Sequence, residues 1–229
     1  MELDRGTELA QNLAEVRARI ARAAAAAGRA PEDVQLIAVT KTWPLRDIRL
    51  LADLGLREFG ESRDQEASNK AAEWREVDGR DVVWHFIGQL QTNKAKSVAT
   101  YASVIHTVDR PGLITALQKP GHPLDCLLQL SVDGDVERGG ARRADLLDLA
   151  AAIADPLHLR GIMAVAPLGM DPAAAFAEVQ AAHEELLAVH PRATIRCIGM
   201  SDDLEAAIAA GATHVRVGSA LLGKRPPAH

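Results

Sequence analysis

Lys41 follows the apolar run Leu36–Val39 and Thr40 directly, in the stretch "LIAVTKTWP" (36–44). A lysine amine at the rim of an apolar strand loses part of its hydration. Desolvation favours the neutral amine, the form that attacks a carbonyl carbon to make a Schiff base. Taken alone, Lys41 also reads as a strand-edge lysine that snorkels to water.

Two stretches near the C-terminus complement that amine. "IGMSDDLEAAIAAG" (198–211) reads as strand, turn and helix start, with Ser201 or Asp202 able to cap and Glu205 spaced for a capping box with Asp202. "VRVGSALLG" (215–223) repeats the design, with Gly218 letting backbone approach and Ser219 opening a short helix. Backbone N–H groups at such turns suit an anion, a phosphate above all. Ordinary capping is the bland reading of each turn. Arg216 is the odd residue in "HVRVG" (214–218); an arginine in an apolar strand needs a partner, either a ligand or an interior ion pair. His85, in "WHFIG", could position a ligand or move a proton, or be a satisfied core histidine; His106 carries the same ambiguity.

These residues fall at the ends of regularly spaced elements. Residues 8–27 read as a helix, with Leu9, Leu13, Val16 and Ile20 at helical spacing and Gly28 as the stop, so 1–28 forms an extra N-terminal unit. Strand-like runs follow at 34–40, 56–59, 82–88, 102–108, 125–132, 158–165, 194–199 and 214–218. Helix-like runs lie between them at 45–55, 62–76, 91–100, 110–118, 141–154, 172–189 and 202–210, with a short last one near Ser219. Eight strands alternating with eight helices predict an α/β fold, a single (β/α)8 TIM barrel over residues 1–229. A doubly wound open sheet is the competing architecture. Residues 226–229 read as a loose tail. In such a barrel, chemistry sits at the C-terminal strand ends, and the loops after strands seven and eight commonly bind phosphate. Lys41 ends the first strand; the two serine turns follow the seventh and eighth.

Composition removes several alternatives. The net charge is −5 and aromatics make up 3%, which argues against nucleic-acid binding. Cys126 and Cys197 are far apart and sit in apolar runs, so buried reduced thiols are expected rather than a disulfide or a metal site. The N-terminal stretch lacks a signal-peptide core, and no run reaches membrane-spanning length, so a cytoplasmic protein is expected.

The blocks "IAVTKTWP", "FGESRDQEA", "WHFIGQLQTNKAK", "LRGIMAVAP" and "GMSDDLEAAIAAGATHVRVGSALLGKR" occur in that order. Together they resemble the YggS/PROSC family of pyridoxal 5′-phosphate-binding homeostasis proteins, over about residues 8–225. The resemblance implies a fold similar to the barrel domain of alanine racemase, with pyridoxal 5′-phosphate (PLP) on Lys41 as a Schiff base. It implies that Met200, Ser201, Gly218 and Ser219 hold the phosphate and that Arg216 faces the pyridine nitrogen. His85, Gly88 and Asn93 would lie near the cofactor. Ser62 and Arg63 stand where the family usually has asparagine and tyrosine, which puts the contact at Ser62 in doubt. Gln89 stands where proline is frequent.

Three functions compete: a non-catalytic PLP carrier in vitamin B6 homeostasis, a PLP-dependent amino-acid racemase, and a cofactor-free Schiff-base aldolase. A two-base racemase of this kind draws a tyrosine from a second domain. This chain leaves no length for that domain, and its one tyrosine, Tyr101, precedes strand four. The carrier is therefore the favoured expectation, with PLP-dependent apoenzymes as possible recipients and a monomer as the default state. Lys94 and Lys96 suggest either a second cofactor or partner site, or a solvated helix face.

Overall fold

The computed structural model describes residues 4–135 and 138–223. Eight parallel strands close into a barrel in sequence order: β1 (Gln35–Val39), β2 (Glu58–Glu61), β3 (Val83–Phe86), β4 (Val104–Val108), β5 (Leu124–Leu130), β6 (Leu157–Ala164), β7 (Ile195–Cys197) and β8 (His214–Val217). β1 closes the ring against β8, with Ile37 opposite Arg216 and Ala38 opposite Val217. The doubly wound alternative is thereby excluded, because an open sheet has no such seam.

The helices are α1 (Arg5–Ala26), α2 (Leu45–Asp53), α3 (Asp64–Val77), α4 (Ala95–Val98), α5 (Pro111–Gln118), α6 (Leu146–Ala152), α7 (Pro172–Val189), α8 (Leu204–Ala209) and α9 (Ser219–Leu222). Two expected helices begin as 3-10 turns, at Thr92–Lys94 and Arg143–Asp145. β2 starts two residues later than the sequence suggests. Leu56 is buried, but its N–H closes the end of α2 on Leu51, while Gly60 and Glu61 go on pairing with His85 and Phe86. Glu61 therefore ends the strand and Ser62 lies beyond it. The tail at 226–229 lies outside the described residues.

Two apolar layers hold the barrel. Ile37, Val104, Leu127, Met163 and Cys197 form a small cluster of their own. The larger cluster lies between strands and helices, where Phe59, Trp74 and Trp84 meet with ring centroids 6.0–6.4 Å apart. Burying aromatic side chains of this size dominates local packing energy. Gly161 sits at a register shift between β5 and β6, with φ +151°; a Cβ there would lie 1.8 Å from the Ile195 carbonyl oxygen. Only glycine lets β6 approach β7 that closely. Both cysteines are free and buried, and burial pushes the Cys126 thiol up to about 12.

α1 buries Leu9, Leu13, Val16, Ile20, Ala23 and Ala24 and packs on α8 and α9, the two elements that follow the last strands. Its polar side chains tie it to the same region. Asn12 donates to the Leu221 carbonyl at 3.0 Å, and Arg5 to that of Leu222 at 3.1 Å. No helix among the described residues is long and apolar enough to cross a membrane.

Candidate functional site

Lys41 occupies the turn that leaves β1 at the barrel mouth. Trp43 N–H closes this turn on the Thr40 carbonyl at 3.0 Å. Thr42 takes φ +71°, a left-handed conformation that a β-branched residue seldom adopts. Such backbone costs roughly 1–3 kcal/mol and persists where surrounding contacts enforce it. Here the Thr42 N–H donates to Glu66 Oε1 at 2.5 Å.

Lys41 lines a cavity of about 250 Å³ together with Val39, Trp43, Ile87, Met200, Ser201, Asp202, Arg216, Gly218, Ser219 and Gly223. Small-ligand pockets run from roughly 300 Å³ upward, so this cavity suits a small occupant. Of the residues singled out in the sequence, it gathers Lys41, Met200, Ser201, Arg216, Gly218 and Ser219.

Arg216 is 4% exposed and held rigidly. Nη1 donates to the Cys197 carbonyl at 2.7 Å and to its Sγ at 3.1 Å, and Nη2 donates to the Ala164 carbonyl at 2.9 Å. Its hydrogen-bond partners among the described residues are neutral. No carboxylate pairs with the guanidinium among the described residues, so the interior ion pair considered from sequence is not formed there; Asp202 is the one carboxylate residue that shares the cavity lining with Arg216.

The turn after β7 differs from the capping expected. Asp203, not Ser201 or Asp202, is the N-cap of α8, and no side-chain cap bond forms there. Asp203 Oδ1 instead accepts the Met200 N–H at 2.5 Å. With the N-cap at Asp203, Glu205 is the second helical residue and not the third, so it completes no capping box; Arg19 of α1 holds it instead, at 2.8 Å to each carboxylate oxygen. Ser201 Oγ accepts the Ala220 N–H at 3.3 Å, which joins this turn to the one after β8. Gly199 opens the turn at φ +89°, where a Cβ would meet Ala207 Cβ at 2.4 Å.

Other singled-out residues lie outside this cavity. His85 is 4% exposed; its Nε2 lies 2.5 Å from Glu58 Oε2 and its Nδ1 lies 2.7 Å from His106 Nε2. This is a buried relay of polar groups, and burial holds the His106 imidazole well below the usual range. Ser62 and Lys94 line a separate cleft of about 370 Å³ with Arg63, Gln65, Gln89 and Gln91. Gly88 packs against Ser62, whose carbonyl oxygen a Cβ would meet at 2.1 Å. Asn93 and Lys96 are exposed, and Lys94 lies 3.7 Å from Asp64. Tyr101 is buried and lines a third cleft, which Lys41 does not line. Among the described residues, no cluster of His, Cys, Asp and Glu could hold a metal ion.

Sequence reading missed three charged residues beneath the Lys41 turn. Lys70 of α3 donates to the Thr40 carbonyl at 2.9 Å, to Glu61 Oε1 at 2.8 Å and to Glu66 Oε1 at 2.6 Å. Glu61 Oε1 also accepts the Thr40 hydroxyl at 2.7 Å. Burial pushes the Glu61 carboxyl up, against the opposing pull of Lys70 and Thr40. The available signal was Glu66–Lys70, an acid and a base one helical turn apart, which on most helices marks a solvated pair.

Comparison with known proteins agrees with this geometry. Residues 11–226 match the alanine racemase N-terminal domain family. The pyridoxal phosphate homeostasis protein of Escherichia coli is 40% identical and the alignment covers 95% of this chain and 97% of that protein. Its Mycobacterium tuberculosis counterpart is also 40% identical, over 97% of this chain and 95% of its own. PipY of Synechococcus elongatus, solved with PLP bound, superimposes with a TM-score of 0.78 at 35% identity, covering 94% of this chain and 100% of that one. Alanine racemase of Clostridium difficile shares the fold, at a TM-score of 0.70 and 14% identity, over 97% of this chain and 58% of its own. A closed eight-stranded barrel, an amine at the end of β1 and full-length identity near 40% to proteins of one name lead to one assignment: the chain belongs to the pyridoxal phosphate homeostasis protein family.

Proposed function

We propose that this protein is a carrier of pyridoxal 5′-phosphate, held through a Schiff base on Lys41, and serves intracellular vitamin B6 homeostasis rather than catalysis. In this reading it acts in the cytoplasm as a monomer, with PLP-dependent apoenzymes as recipients. The observation that carries the proposal is one small cavity lined by Lys41, Arg216 and both serine turns. The names of the relatives and the PLP-bound state of PipY support it.

The residues suit the group. PLP brings an aldehyde that condenses with the Lys41 amine, losing one water, and a phosphate dianion that anchors it. Ser201 and Gly218–Ser219 are the residues we assign to the phosphate, with Met200 as a wall, since its N–H is taken by Asp203. Arg216 would face the pyridine nitrogen. A fixed positive charge there opposes protonation of the ring and so weakens it as an electron sink. We assign His85 to the barrel interior and Ser62 to the neighbouring cleft rather than to direct cofactor contact.

The same cavity argues against two-base racemisation. Its titratable lining side chains are Lys41, Asp202 and Arg216, and the chain's one tyrosine lies elsewhere. The test is to incubate the purified protein with PLP, reduce it with borohydride and map the adduct by mass spectrometry. A phosphopyridoxyl group on Lys41, lost in Lys41→Ala, is expected. No adduct at Lys41 would overturn the cofactor reading, and robust Lys41-dependent turnover of an amino acid would overturn the carrier reading.

A further inference from the structure

Lys41 needs more than a position at a strand end. The direction of its side chain depends on the two peptide planes that flank its Cα. Both planes are held by one ionic network, buried at Lys70 and Glu61 and reaching the surface at Glu66, whose side chain is 23% exposed.

The plane before Lys41 carries the Thr40 carbonyl, which accepts from Lys70 Nζ at 2.9 Å. The plane after it carries the Thr42 N–H, which donates to Glu66 Oε1 at 2.5 Å. That same Glu66 oxygen accepts from Lys70 at 2.6 Å, so the two clamps are tied to each other. Lys70 gives its third N–H to Glu61 Oε1 at 2.8 Å, and Glu61 in turn fixes the Thr40 hydroxyl. All three ammonium donors are thus used, each on a group one bond or one contact from the Lys41 turn. The Lys70 side chain is 9% exposed and that of Glu61 1%. A buried ion pair replaced by apolar groups is often neutral or stabilising, so the Lys70–Glu61 pair has no evident stability reason to be ionic. What the network uniquely enforces is the left-handed Thr42 conformation, which turns the chain sharply just past the amine.

We infer that Lys70, Glu61 and Glu66 form a positioning device that aims the Lys41 amine into the cavity, so that Lys70 sets the reactivity of Lys41 without touching the ligand. The inference rests on the proposal that Lys41 is the attachment point of PLP. Lys70 is a positioning residue; a buried ion pair that only stabilises the barrel would not discriminate between ligands.

That difference supplies the experiment. Lys70→Met keeps the stem of the side chain and removes its charge and donors. Two ligands are compared on wild type and variant: PLP, which needs the amine, and pyridoxine 5′-phosphate, which has the same ring and phosphate but no aldehyde. Borohydride trapping gives the rate of covalent attachment, and fluorescence titration gives pyridoxine 5′-phosphate affinity. A misaim of an ångström costs reactivity up to roughly 100-fold. The expected result is slower attachment by roughly 10- to 100-fold, with pyridoxine 5′-phosphate binding unchanged. Glu66→Gln, which keeps an acceptor for the Thr42 N–H but weakens the tie to Lys70, should lie between, and it carries the test if Lys70→Met does not fold. Equal loss of both ligands, or a wild-type attachment rate in a folded variant, would overturn the inference. Wild-type protein that fails to attach PLP while binding pyridoxine 5′-phosphate would instead overturn the role of Lys41 itself.

Discussion

Arg19 and Ser201 lie 182 positions apart, yet the Arg19 guanidinium donates to the Ser201 carbonyl at 2.9 Å. The bond runs from the middle of α1 to the turn after β7. α1 is thus part of the site's support as well as a cover for the barrel. Its Asn12 and Arg5 do the same for the carbonyls of Leu221 and Leu222 in α9.

Arg19→Ala should therefore weaken phosphate-ligand binding although Arg19 does not line the cavity. One partly buried hydrogen bond contributes about 1 kcal/mol, which is about fivefold in affinity. Glu205→Gln is the control. It removes only the ion pair, whose side chains are 27% and 53% exposed, and such surface pairs contribute little. Titration with pyridoxine 5′-phosphate should show a clear loss for Arg19→Ala and almost none for Glu205→Gln. Equal effects would mean that the carbonyl contact is immaterial.

Arg216→Ala should destabilise the fold itself. The variant leaves the Cys197 and Ala164 carbonyls without their arginine donors and opens a void where the side chain lay. Unmade buried hydrogen bonds and a cavity together cost about 2–4 kcal/mol. Urea unfolding should show the loss as a lower midpoint at unchanged slope. Arg216→Lys should recover little, because one ammonium cannot reproduce the guanidinium fork across two strands. A lysine variant as stable as wild type would count against this account.

The eight strand–helix alternations were legible because each buried strand is a short apolar run bracketed by turn residues. Lys41, Arg216 and the serine turns stood out as polar residues at strand ends. The Lys70 network was not legible, since its three acceptors come from the turn after β1, from β2 and from α3, and only the folded barrel brings them together. The capping box at Asp202 and Glu205 failed because α8 begins one residue later than the pattern implies, with Asp203 as its N-cap, and Glu205 is held by Arg19, far away in sequence. Gly161 gave no signal either, because its need for glycine arises from the Ile195 carbonyl on the neighbouring strand.

Acid should destabilise the protein earlier than exposed carboxylates alone would. Burial lowers the His214 imidazole to about 4, with His85 adding to the shift and Glu58 opposing it. It also lowers His106, which faces His85, Arg216 and His214. Both groups bind protons more readily in the unfolded chain, whose imidazoles titrate near 6.5. Their contribution is therefore complete above about pH 6.5 and falls as pH drops toward 4, by up to about 1.4 kcal/mol per pH unit for each. Glu61 works in the opposite direction, because its raised carboxyl binds its proton more tightly in the fold than in the unfolded chain. Burial lowers the His183 imidazole too, so three imidazoles against one carboxyl leave a net loss. Urea midpoints measured from pH 7.5 to 4.5 should decline, and His214→Asn should flatten the decline. A flat wild-type profile over that range would show that none of the three imidazoles is held neutral.

Ser219→Asp should discriminate the phosphate turn from the rest of the cavity. Ser219 is exposed at the cavity rim, so an aspartate there is readily solvated in the unliganded protein and stability should be unchanged. A bound phosphate would meet a like charge at close range. At about 4 Å that repulsion is about 1 kcal/mol in bulk water and about 4 kcal/mol near a protein surface, for single charges. Pyridoxine 5′-phosphate affinity should fall at least fivefold, and the loss should shrink as salt is raised, since exposed charges are screened. Pyridoxal without its phosphate should attach to Lys41 at the same rate in both proteins. If the variant weakens pyridoxal and its phosphate alike, the damage is steric. If it weakens neither, the phosphate lies away from Ser219.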